Sequence, residues 1–500
     1  MAGAGADGFA ASRDRFEQVA GWLESQEATE LTHAELEEQL DARGRQLLRQ
    51  LHQDHLDLRA AREQRREEVT GSDGIARTRA ETGHQRGLAT VFGEVTVTRM
   101  ACRAPGAGNL HPADAILNLP EEKHSHGLRK LTAIESARGS FEQAGQAISR
   151  ATGVSPGKRQ AEQLAAAAAA DVDRFYAARR PGPRPDTDVL VLQADGKGIV
   201  MRPGALRETT ARTAKTSRHK LATRLSPGEK RGRKRMAEVG AVCDAAPVPR
   251  APADIISAPG HAGGQERSRK KGPVAAGKWL TASVTDDIPA VITAVFDEAA
   301  RRDPARARTR VALADGSNQQ IEAITAEAQR RGIQVAIVID FVHVLEYLWK
   351  AAWTFFYEGD PHAGTWVAAR ATKIPEGKAA RVAAAIRRQA TRGGFSPEER
   401  KSADTAAGYL TAKRPCLDYA AALERGWPIA TGVIEGACRW LVKDRMDITG
   451  ARWGLDGAEA ILKLRTLISN SDFDDYWAFH LRQEHQRIHQ ARYRGLTLAA

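Results

Sequence analysis

The order of apolar runs between residues 186 and 343 constrains the fold of this chain more than any other feature. Short apolar runs bounded by turn residues predict buried strands, and longer stretches with a 3.6-residue period predict helices. The predicted strands lie at 189–194, 237–243, 279–284, 310–314 and 335–339, and the predicted helices lie at 288–302 and 319–331. The chain therefore reads as three strands, a helix, a strand, a helix and a strand, which indicates an α/β domain.

This order of elements is typical of a ribonuclease-H-like mixed sheet. After the last strand, the pattern is helical from His343 to about Pro428, and a second helical block begins near Thr431. We therefore expect an α/β core in two parts, at 186–343 and 431–470, with a helical block at 344–430 between them. Residues 471–500 are expected to form a C-terminal tail.

The first 180 residues read as two further regions, which the linker PGPRPD separates from the core. Residues 1–80 are charged and helical, with a capping box at Thr32 and Glu35, and their leucine face predicts either a coiled-coil dimer or packing within the chain. Residues 81–180 predict a β-hairpin around Phe92-Gly93 and then two helices around a short turn. The second helix carries Lys158 and Arg159, so the pair is either a helix-turn-helix that binds DNA or an ordinary helical hairpin.

Three carboxylates are the candidate catalytic and metal-binding residues. Asp195 in QADGKG and Asp315 in LADGSN each close an apolar run and precede glycine, which predicts a strand, a carboxylate and a tight turn. In a sheet of this order the first and fourth strands are neighbours, and Glu435 would approach from a packed helix. Three such carboxylates suit Mg²⁺, for which Mn²⁺ can substitute, in phosphodiester chemistry. The alternative is that each Asp-Gly merely caps a turn.

Asp340 and His343 follow the fifth predicted strand in VIDFVHVLEYLW. One interpretation is a helix N-cap with an incidental histidine. The other is an accessory site, in which His343 contacts the reacting water or phosphate and is therefore catalytic.

Basic residues favour a polyanionic partner. The chain has 74 Lys and Arg against 62 acidic residues, a net charge of +12, and twelve of these cations fall between Arg202 and Arg235. The candidate DNA-binding residues outside the N-terminal region are Lys215, Arg218, Lys220, Arg231, Arg233, Lys234, Arg235, Arg439, Lys443, Arg445 and Arg452. Four tryptophans, Trp353, Trp366, Trp440 and Trp453, could stack on an unpaired base, although such residues are more often part of a core.

Cysteine spacing and hydropathy limit the other classes to which the protein could belong. The four cysteines form no CxxC pair, and we expect neither a zinc site nor a disulfide framework. No basic leader with an apolar core begins the chain, and no run approaches 18 apolar residues. We therefore expect a cytoplasmic protein with no membrane partner.

Several motifs together resemble bacterial insertion-sequence transposases of the DDE class, specifically the ISKra-type members of the Mutator-like superfamily. The motifs are TVFGEVTVTR, QADGKG, KRMAEVGAVCD, LADGSNQQIE, DFVHVLEYLW and TGVIEGACRWLVKDRMDITGARW. The resemblance implies a ribonuclease-H-like core in which Asp195, Asp315 and Glu435 are the catalytic triad. It also implies that Asp340 and His343 match an Asp-or-Cys-x-x-His element, and that residues 344–430 are the helical insertion. The chain departs from the pattern at Ser317-Asn318, where an aromatic residue is expected.

The functional hypothesis is a transposase that binds terminal inverted repeats, cleaves the transposon ends with Mg²⁺ and joins the 3′-hydroxyls to target DNA. Double-stranded DNA is then the partner, the protein acts at the bacterial nucleoid, and we expect a homodimer or higher oligomer on DNA. The rival hypotheses are a structure-selective nuclease on the same fold and a domesticated DNA-binding regulator without catalysis.

Overall fold

In a computed structural model, the chain divides into two compact units. The structure describes residues 8–216, 226–256, 270–448 and 450–494. Unit 1 is formed by residues 1–178 and 471–500, and unit 2 by residues 179–470. Within the described ranges, no helix combines the length and the apolar character that crossing a membrane requires.

Unit 1 begins with a helical region, continues with a β-hairpin and ends in short helices. Its elements are α1 (Ala10–Leu23), α2 (Gln26–Thr29), α3 (His33–Ala61), β1 (Val69–Thr70), β2 (Ala76–Arg77), β3 (Arg79–Thr90), β4 (Gly93–Arg103), α4 (Pro112–Ile116), α5 (His126–Arg138), α6 (Phe141–Thr152), α7 (Lys158–Ala168) and α8 (Val172–Ala178).

Local predictions for unit 1 are confirmed. Thr32 and Glu35 form the capping box that begins α3, because each satisfies a backbone N–H of the other. The hairpin turns between Thr90 and Gly93, and Gly153 ends α6 in the left-handed conformation before α7. Helix α3 packs on β4 within the chain: the Gln53 side chain accepts from Thr96 N at 2.8 Å and donates to Thr96 O at 2.9 Å.

Unit 2 contains the five-stranded mixed sheet. Its elements as far as the last strand and the helix after it are β5 (Val189–Val200), α9 (Glu208–Thr216), α10 (Pro227–Arg231), β6 (Lys234–Ala245), α11 (Pro252–Ile255), β7 (Ala275–Ser283), α12 (Ile288–Arg302), β8 (Arg310–Ala314), α13 (Asn318–Arg331), β9 (Ala336–Ile339) and α14 (Phe341–Ala352). The strand order is β7-β6-β5-β8-β9, with β6 antiparallel to both neighbours and β5, β8 and β9 parallel. The predicted α/β class and the order of elements are confirmed.

Helices cover both faces of this sheet. The remaining elements of unit 2 are α15 (Pro361–Ala371), α16 (Ala379–Arg392), α17 (Lys401–Ala412), α18 (Tyr419–Glu424), α19 (Gly432–Ala437), α20 (Asp444–Met446) and α21 (Leu455–Ser469), with a π-helix at Cys438–Lys443. Val189 and Val191 of β5 share one core with α14–α18. On the opposite face, α12 lies so close to Gly240 that a Cβ there would stand 2.5 Å from Val295. Because side chains alternate along a strand, Gln193 and Asp195 continue the face of Val189 and Val191.

The last helix, α22 (Phe473–Ile488), belongs to unit 1. Arg129 Nη1 donates to both carboxylate oxygens of Glu484, at 2.7 and 2.8 Å, and Lys130 pairs with Asp474 at 2.7 Å. The segment after residue 470, expected from the sequence to be a tail, thus contributes a packed helix.

Candidate functional site

The register between β5 and β8 brings Asp195 and Asp315 to corresponding positions on neighbouring strands. Gln193 is the register partner of Leu313 in this parallel pair, and each aspartate lies two residues further on. A two-residue step returns a side chain to the same face of a sheet, so the two carboxylates occupy adjacent places on one face. Asp315 begins a turn: its Oδ1 accepts from Ser317 N at 2.7 Å, and Gly316 has a φ of +94°.

At Asp195 the predicted strand is present but the predicted tight turn is wrong, because β5 continues through Asp195 to Val200. Asp195 pairs with Val239 and Gly196 with Glu238 in β6. The glycine after this aspartate allows a close approach of side chains, since a Cβ at Gly196 would stand 2.8 Å from Glu238 Oε2 and 2.9 Å from Met236 Cε. Asp195 therefore lies inside a strand, where pairing on one side fixes its backbone.

Glu435 lies on a helix that contacts β5 through a residue before Glu435 and a residue after it. Ile434 N donates to Gln193 Oε1 at 3.1 Å, and Cys438 Sγ donates to Asp195 Oδ2 at 3.4 Å. Cys438 is the first residue of the π-helix that continues α19. Single turns of π-helix inside α-helices are often found at functional sites. The Glu435 side chain is exposed, and its Oε1 accepts from Thr431 Oγ1 at 3.4 Å.

Asp340 connects the beginnings of two helices at this end of the sheet. Its Oδ1 accepts from Val342 N at 2.8 Å as the N-cap of α14, and its Oδ2 accepts from the backbone N–H and the hydroxyl of Thr431. The carboxylate is completely buried. The N-cap interpretation is therefore confirmed for Asp340, and the accessory role of His343 stays a prediction. Asp340 also positions the segment that carries Glu435, a role that the sequence did not indicate.

Electrostatics link Asp195 to two of the other candidate residues. Burial raises the pKa of Asp195, and the Asp315 charge raises it further, while the Gly196 N–H, the Cys438 thiol and His343 lower it. His343, in the first turn of α14, is half-buried. Asp315 and His343 thus both lie near enough to Asp195 to affect its pKa.

Glu238 is a candidate functional residue that the sequence reasoning missed. It pairs with Gly196 and therefore lies on the α12 face of the sheet, opposite the face of Asp195, and it is only 8% exposed. Burial raises the pKa of Glu238 to about 7, with a contribution from the charges of Asp195 and Asp287, while Arg207 opposes the shift. The available signal was a lone glutamate inside the apolar strand pattern of KRMAEVGAVCD.

In the part of the chain that the structure describes, the carboxylates do not form a preformed metal cluster. Among the described residues, no group of three or more His, Cys, Asp or Glu side chains is arranged to hold a metal ion. The donor chemistry nevertheless fits a hard cation, because Asp195 is a half-buried carboxylate whose pKa burial raises and the nearby Asp315 charge raises further. A divalent ion would relieve that repulsion.

The candidate DNA-binding cations differ in accessibility. Lys158 and Arg159 are exposed at the start of α7, where Lys158 pairs with Glu142 at 2.8 Å. Lys215 and Arg231 are exposed, Arg233 is half-buried, and Arg218 and Lys220 lie outside the described residues. Lys234 pairs with Asp447 at 3.2 Å, and Arg235 Nε donates to Val284 O at 2.7 Å. Lys234 and Arg235 therefore already make contacts within the protein.

The cations after Glu435 divide into three exposed residues and one buried residue. Arg439, Lys443 and Arg452 are exposed. The expectation that Arg445 contacts DNA is not supported, since Arg445 is 3% exposed and its guanidinium lies 4.8 Å from the centre of the Trp453 ring. Trp453 and Trp366 are likewise buried in the core, whereas Trp353 and Trp440 are exposed.

Comparison with known proteins gives no family assignment. No protein-family model matches the chain, and no curated protein matches it significantly.

Proposed function

We propose that this chain is a DDE-type DNA transposase with a ribonuclease-H-like core, in which Asp195, Asp315 and Glu435 hold Mg²⁺ or Mn²⁺. The strand order β7-β6-β5-β8-β9, with β6 antiparallel, supports the ribonuclease-H-like assignment. The transposase assignment rests on the sequence motifs that resemble the ISKra-type family. The carboxylates define the class of reaction, which is phosphodiester cleavage and transfer.

The observation that carries the proposal is the contact between the Glu435 helix and the strand of Asp195. Glu435 is 240 positions away from Asp195 in sequence, yet the Cys438–Asp195 and Ile434–Gln193 hydrogen bonds bring its helix to this part of β5. Neighbouring strand β8 supplies Asp315 at the corresponding position. Three elements thus supply carboxylates at one end of the sheet, which is the end where α/β sheets carry their chemistry.

Several side chains around the carboxylates would position them or hold a proton. A bound divalent ion would supply a nucleophilic oxygen near neutral pH and stabilise charge on the phosphate. Asp340 and Thr431 fix the start of the Glu435 helix. Glu238, whose pKa burial raises to about 7, can hold or release a proton on the opposite face of the sheet from Asp195. His343 would contact the reacting water or phosphate.

DNA would be held by the exposed cations of each unit. In unit 2, Arg439, Lys443 and Arg452 follow Glu435 along the chain, and cations of this kind contribute salt-dependent affinity for phosphates. In unit 1, Lys158 and Arg159 begin the second helix of the α6–α7 pair. We propose double-stranded transposon ends and target DNA as the substrates, and at least a dimer on DNA, in the bacterial cytoplasm.

The test compares Asp195→Asn with Asp186→Asn, an exposed aspartate just before the same strand. With Mg²⁺ and an oligonucleotide bearing the terminal repeat, Asp195→Asn should lower both cleavage and joining by roughly a hundred-fold or more, since a bound metal contributes several kcal/mol. Binding in a gel shift should be unchanged in both variants, and Asp186→Asn should keep wild-type activity. Full joining by Asp195→Asn would refute the assignment, and cleavage without joining by the wild type would indicate a nuclease.

A second candidate function is DNA binding without catalysis. The observation that favours it is that the described residues hold no preformed three-ligand metal group. A DNA gel shift that needs no metal, together with no cleavage in Mg²⁺ or Mn²⁺, would select this alternative.

A further inference from the structure

A cleft of about 930 Å³ lies in unit 2 at the beginning of β8. Its walls are residues 306–310, the C-terminal half of α13, the segment 333–337 that leads into β9, and Arg425 with Trp427. Strand β8 runs from Arg310 to Ala314 before Asp315. At about 3.3 Å per residue, the cleft is therefore roughly 16 Å from the candidate catalytic carboxylates.

Every charged side chain among the described residues that line this cleft is an arginine, and we call it the arginine cleft. Its walls include Arg306, Arg308, Arg310 and Arg425, and none of the described residues that line it is an Asp or Glu. Two of the four arginines form ion pairs with carboxylates that do not line the cleft: Arg308 with Asp244 at 2.7 Å, and Arg310 with Asp303.

Two guanidinium groups remain to attract a ligand. Arg306 and Arg425 are exposed, and neither has a carboxylate within ion-pair distance in the described part of the chain. The cleft therefore presents about two uncompensated positive charges beside an apolar wall that includes Ile333 and Trp427.

One hydrogen-bond donor at this cleft lacks an acceptor. Arg308 is 3% exposed; its Nε donates to Asp188 O at 2.9 Å and its Nη2 to Asp244 Oδ1 at 2.7 Å. Its Nη1 has no hydrogen-bond partner among the described atoms. An unsatisfied buried donor costs free energy, more so when it is charged, and such groups are rare in native proteins.

The wall of the cleft is held in a defined conformation. The Asp303 carboxylate accepts from Ala307 N at 2.9 Å and from Arg308 N at 3.1 Å. Arg306 has a φ of +58°, a left-handed conformation that is uncommon for a residue other than glycine and persists where surrounding contacts impose it. The buried Asp303 thus fixes the backbone from which Arg306 projects.

We propose that the arginine cleft binds a phosphate group, supplied by a nucleic-acid backbone or by a free phosphate compound. The planar guanidinium matches phosphate oxygens with paired N–H donors and keeps its charge at any physiological pH. Arg306 and Arg425 contact the phosphate, and the buried Arg308 guanidinium lies in the wall of the cleft. The proposal is independent of the transposase assignment, since the cleft shares no residue with the carboxylate site.

The experiment measures binding by calorimetry on the full chain in EDTA, with inorganic pyrophosphate and a 30-base-pair duplex as separate probes. The test variant is Arg306→Asn with Arg425→Gln, because asparagine tolerates the left-handed backbone. The control is Arg381→Gln with Arg388→Gln, which removes two exposed charges from α16. Wild type and control should bind pyrophosphate equally, and the test variant should bind it at least ten-fold more weakly.

The duplex probe distinguishes the two sources of phosphate. A matching loss of duplex affinity in the test variant alone assigns the cleft to a nucleic-acid backbone, and unchanged duplex affinity assigns it to a free phosphate compound. Equal pyrophosphate binding by all three proteins, or none by the wild type, would overturn the proposal.

Discussion

Gly316 adopts the backbone conformation that the turn after Asp315 requires. Its φ is +94°, and a Cβ at this position would collide with the Tyr409 hydroxyl, which itself donates to Asp315 O at 3.2 Å. A side chain at Gly316 therefore meets two obstacles, an unfavourable backbone conformation and a displaced neighbour. Any shift of this turn also moves Asp315 relative to Asp195.

Gly316→Ala should lower the free energy of unfolding by about 2–3 kcal/mol, of which about 1–2 kcal/mol comes from the backbone conformation. Gly332→Ala is the matched control, because Gly332 has a φ of +63° and no heavy atom within 4 Å of an added Cβ. Urea denaturation of both variants separates the two contributions. If the two variants lost equal stability, the collision with Tyr409 would be unimportant.

The two Asp-Gly dipeptides show what local sequence can and cannot predict. The one at Asp315 forms the expected turn, and the one at Asp195 continues a strand. The difference arises because residues 234–238 of β6 pair with residues 196–200 of β5. The Glu238 and Lys234 side chains leave little room for a Cβ at Gly196 and Gly198, so glycine favours this pairing. That pairing joins segments far apart in sequence, so the residues next to Asp195 in sequence do not show whether the strand continues or turns.

At the scale of elements, strand positions were predictable and strand lengths were not. The predicted bounds of β8 and α12 agree with the structure, because both are limited by their own turn and capping residues. By contrast, β5 and β6 each extend to twelve residues, since each supplies hydrogen-bond partners to the other beyond its apolar run. The sequence indicated that Glu435 begins a helix, but the π-helical turn after it depends on packing against β5.

The π-helix turns Cys438 and Trp440 toward different surroundings. Cys438 is buried against Asp195, whereas Trp440 is 52% exposed between the exposed cations Arg439 and Lys443. On its other side, the Arg465 guanidinium lies 4.9 Å from the centre of the Trp440 ring and donates to its carbonyl. An exposed, supported aromatic ring among cations is suited to stacking on a nucleic-acid base.

If the proposed function holds, Trp440→Ala should weaken binding of a single-stranded oligonucleotide by roughly 5- to 150-fold, because stacking contributes about 1–3 kcal/mol per base. Trp440→Phe should retain most of the affinity. Tyr357→Ala serves as the control, since Tyr357 is a more exposed aromatic residue on a different segment. Fluorescence anisotropy at fixed salt measures all four proteins, and an equal loss for the Trp440 and Tyr357 alanine variants would argue against a specific stacking site.

At the scale of the whole molecule, the two units should differ in their response to acid. Burial lowers the pKa of six histidines in unit 1, which are His52, His111, His124, His126, His480 and His489. The shift is large at His126, whose pKa falls from 6.5 to about 4 because it is buried, although the Glu484 charge opposes the shift. In the neutral form, its Nε2 donates to Asn118 O at 2.8 Å and its Nδ1 accepts from Arg129 at 3.3 Å.

The sign of the effect follows from proton binding. Between pH 6.5 and about 4 the unfolded chain protonates His126 and the folded chain does not. Unfolding therefore takes up protons, and stability falls as the pH falls through this window. At roughly 1.4 kcal/mol per pH unit, the interval between 6.5 and about 4 corresponds to about 3 kcal/mol from His126 alone.

Unit 1 should consequently open before unit 2 on acidification from pH 7.5 to 4.5. Two buried cysteines report on the units separately, Cys102 in unit 1 and Cys243 in unit 2. With a disulfide reagent that reacts in mild acid, we expect labelling of Cys102 at a higher pH than labelling of Cys243. His126→Gln keeps a side-chain donor but cannot titrate, so it should shift the onset of Cys102 labelling to lower pH and leave that of Cys243 unchanged. Simultaneous labelling of both cysteines, or an unchanged onset in His126→Gln, would mean that the buried histidines do not set the acid stability of unit 1.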